Sequence, residues 1–156
     1  MTGPAVYRHF SGKDEILGTL FDEALDALFD RIGGVEIEES DSLAELAFLA
    51  GAHAAFVVEH KELASILIRD NSSLSATHRR RHQRRERPYI ARWIDCVSRA
   101  FPDRSEREAT TATFAALTVL NSAGNWPASA RRVDDLPELL ADLAMGAVLA
   151  LAPAHR

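Results

Sequence analysis

Apolar residues recur along most of the chain with the spacing of amphipathic helices. The first clear stripe repeats about every 3.6 residues and consists of Leu17, Leu20, Phe21, Ala24, Leu28 and Ile32. Such a period predicts a helix that buries one face, and Gly33-Gly34 would end it. The alternating stretch Val35-Glu36-Ile37-Glu38 is short and follows those glycines, so we interpret it as a loop.

The middle of the chain carries three further helix patterns. One begins near Asp41-Ser42, where Glu45 would complete a capping box. Its sequence, LAELAFLAGAHAAFVVEH, is apolar nearly all round, which is typical of a helix enclosed by others. The shorter stretch ELASILIRDN follows it. A long helix comes next, polar in its first half, and Pro88 within it predicts a kink or a fresh start.

The last two helix patterns are rich in small residues. Ser105 with Glu108 would cap the first, and Pro137 would lie in the first turn of the second. Small side chains let helices approach closely, either as ordinary packing within one chain or as a face that pairs with a second copy. A short helix, a tight turn and about six further helices together predict an all-α helical bundle. The small residues are Ala109, Ala112, Ala115, Ala116, Ala123, Ala141, Ala144, Gly146, Ala147 and Ala150.

Composition narrows the class of protein. A chain of 156 residues with 47% hydrophobic and 26% charged residues can form one globular domain with a sizeable core. Its formal net charge of −5 gives no general attraction to nucleic acid, so DNA binding must come from a local site. The N-terminus lacks the pattern of a signal peptide. No apolar run reaches about 18 residues without a charge, so no membrane span is expected.

Residue types and spacing argue against several kinds of site. Cys96 is the single cysteine, so no internal disulfide can form, and no Cys/His spacing supports zinc. Neither a metal nor another cofactor is expected, and a reducing cytoplasm fits best. No Ser-His-Asp order, carboxylate pair or phosphate-binding loop predicts catalysis, so the chain is not expected to be an enzyme.

Six arginines crowd the segment HRRRHQRRERP, residues 78–88. Such a run can bind nucleic acid or phosphate. The preferred interpretation is a solvated helix face, paired in part with acids such as Glu36, Glu38 and Glu39. The alternative, that one or two of these arginines reach a phosphate or carboxylate on a ligand, stays open.

Sparse polar residues among large apolar ones indicate a small-molecule pocket in the same helices. That mixture suits an apolar, elongated ligand held by a few polar contacts. A plain core with satisfied amides is the alternative. The candidate ligand-binding residues are His53, Phe56, Tyr89, Trp93, Asn121, Asn125 and Trp126, of which His53, Asn121 and Asn125 are polar.

The first 17 residues hold a compact motif. The stretch TGPAVYRHFSGKDEIL predicts a short helix, a break at residues 10–12 and a longer helix capped by Ser11 with Asp14. This motif resembles the TetR family of bacterial transcriptional regulators, and the likeness extends over the whole chain as architecture. The residues that carry the resemblance are Gly3, Val6-Tyr7, His9-Phe10, Ser11, Lys13-Asp14 and Ile16-Leu17.

The resemblance implies a TetR-like fold in two parts. Residues 1–33 would be a truncated helix-turn-helix, and residues 34–156 an Ω-type ligand-binding and dimerisation domain of about six helices. A homodimer would form through the last two helices, about residues 107–124 and 136–151. The recognition helix would lie in the major groove of operator DNA. The implied DNA-binding residues are Thr2, Gly3, Pro4, Tyr7, His9 and Lys13.

Family members carry two more helices before this motif, and these complete the helix-turn-helix. The sequence therefore begins either at an internal methionine of a longer reading frame or as a natural fragment. A lone recognition helix is marginal in water, so we expect a longer parent, and not this chain alone, to bind a near-palindromic operator. Two functions remain: a cytoplasmic ligand-responsive regulator, as a repressor released by a small apolar ligand, or a helical ligand-binding or dimerisation module without DNA-binding activity.

Overall fold

A computed structural model describes residues 12–33, 41–70 and 74–153 of the chain. These residues form six α-helices and one 3₁₀ turn, with no strand among them, which confirms the all-α prediction. The predicted short helix before residue 12 lies outside the described residues. The helices are α1 (Lys13–Ile32), α2 (Ser42–Glu59), α3 (Lys61–Asp70), α4 (Ala76–Ala100), α5 (Glu106–Ser122) and α6 (Leu136–Leu149), with the 3₁₀ turn at Ala123–Asn125.

Helix α2 lies at the centre of the bundle, as its all-round apolar sequence predicted. It packs most extensively against α6, and also against α1, α4 and α5. Trp93 of α4 is fully buried beside it, where a large ring fills the space between helices. The main core includes Leu46, Leu49, Ala50, Ala54, Val97, Ala116, Leu120, Leu140, Ala144 and Val148.

Helix α2 is also the one helix in the described part of the chain that is long and apolar enough to cross a membrane. It has 18 residues and a mean hydropathy of 1.4, with half of the stretch buried in the protein. A core helix of a globular domain has the same properties.

The acidic residues of two predicted capping boxes, Asp14 and Glu45, bind partners elsewhere in the fold, and Ser11, the predicted partner of Asp14, lies outside the described residues. Helix α1 begins after Gly12 without a side-chain cap, and the Asp14 carboxylate accepts a hydrogen bond from the Ser75 backbone N–H at 2.6 Å. Helix α2 is capped by Asp41, but Glu45 turns inward and binds two arginines. The box of Ser105 with Glu108, at the start of α5, forms as predicted.

Helix α4 runs through Pro88 without starting afresh, so that part of the prediction was wrong. Proline removes one backbone donor, which leaves a single carbonyl of the preceding turn without its helical partner. Pro88 is exposed. Water can therefore hydrogen-bond that carbonyl, and the flanking turns keep the helix continuous.

Helices α1 and α4 are joined by a row of polar contacts, most of them ion pairs, that we call the α1–α4 seam, formed by Asp14, Asp22 and Asp26 with His78, Arg81 and Arg85. Arg85 contacts both Asp22, at 2.6 Å, and Asp26. Arg81 reaches the second oxygen of Asp22 at 2.9 Å. The arginine-rich segment is thus partly ion-paired, as expected, but with acids of α1. The expected partners at positions 36, 38 and 39 lie outside the described residues.

Candidate ligand cavity

A cavity of about 310 Å³ lies where α1 meets the rest of the bundle. Its walls are mostly apolar, and α1, α2, α4 and α5 all contribute to them. This volume is near the lower end of the range for small-molecule pockets, about 300–1,000 Å³. The lining residues are Ala24, Leu25, Leu28, His53, Phe56, Ala64, His82, Glu86, Tyr89, Ile90, Phe114, Leu117, Thr118 and Asn121.

A chain of hydrogen bonds crosses one wall of this cavity through His53. The imidazole Nε2 lies 3.0 Å from Asn121 Oδ1, and Nδ1 lies 3.0 Å from the Tyr89 hydroxyl. Because a carbonyl oxygen can only accept, Nε2 carries the proton, and Nδ1 therefore accepts the hydroxyl proton of Tyr89. These two bonds leave the Asn121 amide nitrogen free to donate to a ligand.

Burial keeps this wall uncharged. His53 is 5% exposed, and its desolvation lowers the pKa of the imidazole to about 4, against an ordinary value of 6.5. Desolvation likewise raises the pKa of the Tyr89 hydroxyl above its usual value. At neutral pH both side chains are neutral, so the wall offers hydrogen bonds without attracting a charged ligand.

A second polar group, the pair His82 and Glu86 on α4, lies at another part of the cavity wall. The two side chains are one helical turn apart, with His82 Nε2 3.3 Å from a Glu86 oxygen. The His82 ring also packs against Phe21 of α1, with ring centroids 5.2 Å apart. His82 therefore connects α1 to the cavity wall.

The structure brings together four of the predicted ligand-binding residues: His53, Phe56, Tyr89 and Asn121 all line the cavity. Trp93 does not line it, but packs behind Tyr89 with its ring edge-on, at a centroid distance of 6.4 Å.

Asn125 and Trp126 also lie away from the cavity. Asn125 accepts a hydrogen bond from the Ser65 hydroxyl at 2.8 Å, and the Trp126 indole N–H donates to the Ser122 hydroxyl at 3.1 Å. Both follow the end of α5, where the chain turns into the 3₁₀ segment and directs these side chains away from the wall that carries Asn121.

Sequence reasoning missed the contribution of α1 and of the arginine-rich segment to this cavity. Leu28 belongs to the α1 stripe, which was assigned only to core packing, and Leu25 of the same helix was not singled out. His82 and Glu86 lie in the segment with six arginines, which was interpreted as a solvated helix face, so they were not considered as cavity residues. Their spacing to Tyr89, seven and three residues, places all three on one helix face, and that signal was available.

Of the implied DNA-binding residues, the structure describes Lys13 alone, and its side chain is exposed in the first turn of α1. Positions 2, 3, 4, 7 and 9 lie outside the described residues. Among the residues that the structure describes, no group of three or more His, Cys, Asp or Glu side chains could hold a metal ion.

Helices α5 and α6 present an apolar surface that we call the α5–α6 face. Phe114, Leu139, Leu143 and Leu149 are between 41% and 50% exposed, which is unusual for several large side chains on adjacent helices. Phe114 also lines the cavity, so the cavity reaches this face.

Comparison with known proteins identifies relatives of this fold. Residues 39–148 match the family described as tetracyclin repressor-like, C-terminal domain. The chain is similar to a bacterial regulatory protein in the TetR family from Rhodococcus RHA1, with 17% identity and a TM-score of 0.80 over 97% of this chain and 80% of that one.

A second similar structure is the TetR family transcriptional regulator PfmR from Thermus thermophilus. It shares 21% identity with a TM-score of 0.76, and the match covers all of this chain and 84% of that one. No curated protein matches the sequence.

Proposed function

The chain belongs to the family of tetracyclin repressor-like C-terminal domains, and we propose that it is the ligand-binding and dimerising part of a cytoplasmic transcription regulator. Its structural neighbours are regulators of the TetR family. One observation carries the proposal: the cavity lies between the bundle and α1, the helix that follows the implied DNA-reading motif. A molecule in this cavity would therefore touch both the rigid core and the connection to DNA.

The cavity wall defines the class of ligand. Apolar residues surround a neutral relay of Tyr89, His53 and Asn121, and the one carboxylate in the wall, Glu86, already has His82 within 3.3 Å, so these contacts favour an uncharged and largely apolar ligand. A carbonyl or hydroxyl on it would accept from the Asn121 amide, and its apolar body would lie against Phe56 and Tyr89.

Ligand binding would act through α1. Leu25 and Leu28 form part of the cavity wall, so a ligand that fills the space favours one position of α1 over another. In a dimer this changes the spacing of the two DNA-reading heads, with a coupling of roughly 1–3 kcal/mol. Loss of the matching spacing would release the regulator from its operator, as in a repressor.

The dimer is proposed to form through the α5–α6 face. Two copies packed as a four-helix bundle would cover the exposed leucines and Phe114, and a stable interface buries more than about 1,000 Å² in total. Light scattering should give a dimer for this chain and a monomer for Leu143→Glu. The matched control is Leu43→Glu at the start of α2, which places the same charge on a leucine of similar exposure outside this face. A monomeric parent chain would contradict the dimer.

Binding to the cavity can be tested with 1-aminoanthracene, an uncharged aromatic dye whose fluorescence rises in apolar surroundings. We expect the dye to bind the parent chain and to be excluded by Thr118→Phe, which places a ring in the cavity wall. Thr111→Phe is the control, because Thr111 is exposed on the same helix but does not line the cavity. Equal binding by both variants would contradict this assignment.

DNA binding requires a separate measurement. The regulator should shift a near-palindromic operator in a gel, and the affinity should fall steeply with salt as phosphate contacts are lost. Addition of a ligand that displaces the dye should weaken that shift. Ligand binding without any effect on DNA binding in the regulator would contradict the proposed coupling.

A further inference from the structure

A second cavity, of about 340 Å³, lies on the other side of α2 from the proposed ligand cavity. Neighbouring residues of α2 separate the two spaces: Phe56 lines the first, and Val57 with Val58 lines the second. The second cavity is open to solvent on one side and is bordered by the beginning of α3, the 3₁₀ turn, the loop after it and the first residue of α6. Its lining residues are Val57, Val58, Lys61, Ala123, Ala128, Arg131, Arg132 and Leu136.

This cavity combines an apolar wall with three cations and no acid. Val57, Ala123 and Leu136 are buried aliphatic residues, whereas Lys61, Arg131 and Arg132 supply positive charge. Among the described residues neither arginine forms an ion pair. The Lys61 amine approaches only the exposed Glu62 beside it, at 3.6 Å. Three cations around one space repel one another, and an anion there would relieve that repulsion.

One atom in this cavity wall lacks a partner it should have. The Nε–H of Arg131 is buried from solvent and has no hydrogen-bond acceptor among the described residues. A buried donor without an acceptor costs free energy, and such atoms are rare in folded proteins. A ligand oxygen would satisfy it once the Arg131 guanidinium turns toward the cavity, and the planar guanidinium suits carboxylate and phosphate groups in particular.

From this arrangement we infer that the second cavity binds a small amphipathic anion, with a carboxylate or phosphate held by Arg131 and Arg132 and a short apolar body against Val57 and Leu136. The volume is again close to the lower limit of small-molecule pockets, about 300 Å³, which fits a chain of a few carbons. This ligand differs in class from the uncharged molecule of the first cavity. Because the loop of Arg131 and Arg132 joins α5 to α6, a bound anion would fix the connection between the two helices of the proposed dimer face.

Three probes of the same chain length test this assignment: octanoate, octyl phosphate and octanol. Isothermal titration calorimetry of the full chain should show binding of at least one anion, one molecule per chain. Octanol, which lacks the charge, should bind at least about tenfold more weakly, because a charge-assisted hydrogen bond is lost. The stronger of the two anions identifies the head group. Equal binding of octanol, or no binding of either anion, would overturn the proposal.

Two kinds of variant locate the binding site. Arg131→Gln combined with Arg132→Gln should weaken anion binding about tenfold or more. Arg80→Gln combined with Arg84→Gln removes the same charge from exposed α4 positions outside the cavity and should leave binding unchanged. Ala128→Phe keeps all three cations but fills the cavity from an exposed loop position, and it should also abolish binding. Thermal melting of each variant verifies folding. Anion binding that survives both cavity variants would place the anion elsewhere and overturn the proposal.

Discussion

The α1–α4 seam and the core around α2 hold the molecule together by different forces. In the seam, carboxylates of α1 meet cations of α4 at partly exposed positions, over a small apolar cluster of Leu17, Phe21 and Leu74. In the core, α2, α5 and α6 pack through aliphatic side chains that are completely buried, such as Leu49, Leu120 and Leu140.

This difference has a physical consequence for movement. Displacing a helix in a close-packed apolar core costs much free energy, because contacts are lost and cavities open. Ion pairs at a surface are each worth little and can be exchanged for water. The proposed ligand cavity lies between the two regions. A ligand there would contact the rigid core on one side and the more easily displaced helix α1 on the other.

The largest contrast should appear when one leucine is truncated in each region. Leu140→Ala in α6 should lower the free energy of unfolding by about 2–5 kcal/mol, because the core cannot close over the space left behind. Leu17→Ala in α1 should cost clearly less, since a small cluster at the edge can relax or admit water. Urea unfolding measures both. Equal losses would show that the seam is packed as tightly as the core.

Acidification should lower the free energy of unfolding through His53, which lies on the core side of the cavity. In the folded chain the pKa of His53 is about 4, and unfolding returns it to about 6.5. The stabilisation is present above pH 6.5 and is lost as pH falls toward 4, because only the unfolded chain then takes up the proton. The difference of the two pKa values sets the loss at about 3 kcal/mol at most.

The variant His53→Gln separates this effect from that of the carboxylates. Glutamine can donate to Asn121 and accept from Tyr89 but does not titrate. The stability of His53→Gln should fall less between pH 6.5 and 4 than that of the parent chain. Parallel pH profiles would contradict the buried neutral imidazole.

The core could be predicted from the sequence better than the seam, because the two regions depend on different interactions. The core could be predicted, because helical periodicity alone identifies buried faces, and the all-round apolar α2 was correctly placed at the centre. The seam could not, because the partners of Asp14 and Asp22 lie more than fifty residues away along the chain. The capping rule applied to Asp14 considers only neighbours in the sequence, whereas its carboxylate accepts a hydrogen bond from the distant Ser75 backbone N–H.

The candidate site was likewise predicted only in part. His53 and Asn121 were chosen as polar residues in apolar surroundings and Tyr89 as one of the large residues around them, and the three share one hydrogen-bond chain. Asn125 was chosen by the same rule, but α5 ends at Ser122 and the following turn directs that side chain to Ser65. Where a helix ends is set by tertiary contacts that composition does not show.

Charge removal in the seam should have a moderate and salt-dependent effect. Asp22→Asn removes the shared partner of Arg81 and Arg85 and should cost roughly 1 kcal/mol at low salt, since the carboxylate is only partly exposed. Asp26→Asn is the control, because its more exposed side chain has a single ion pair and should cost less. The difference between the two variants should shrink in 1 M salt, as screening shortens electrostatic range to about 3 Å. A cost of Asp22→Asn that does not change with salt would indicate packing rather than charge.

The smallest expected change in stability comes from replacing two glycines, Gly51 in the core helix α2 and Gly18 in helix α1 of the seam. Alanine is more favourable than glycine in a helix by about 0.5–1 kcal/mol. A Cβ on Gly51 of α2 would meet no atom within 4 Å, so Gly51→Ala should gain about that amount.

A Cβ on Gly18 of α1 would instead lie 2.9 Å from His78 Nδ1, the atom that pairs with Asp14. Gly18→Ala must displace the imidazole and break that pair, which should cancel the gain in helix propensity. In a His78→Ala background the obstacle is gone, so Gly18→Ala should recover a gain of about 0.5–1 kcal/mol. A double-mutant cycle of urea unfolding measures this coupling. Equal gains in both backgrounds would mean that α1 does not need glycine for the close approach of α4, and that the seam adjusts more freely than its ion pairs indicate.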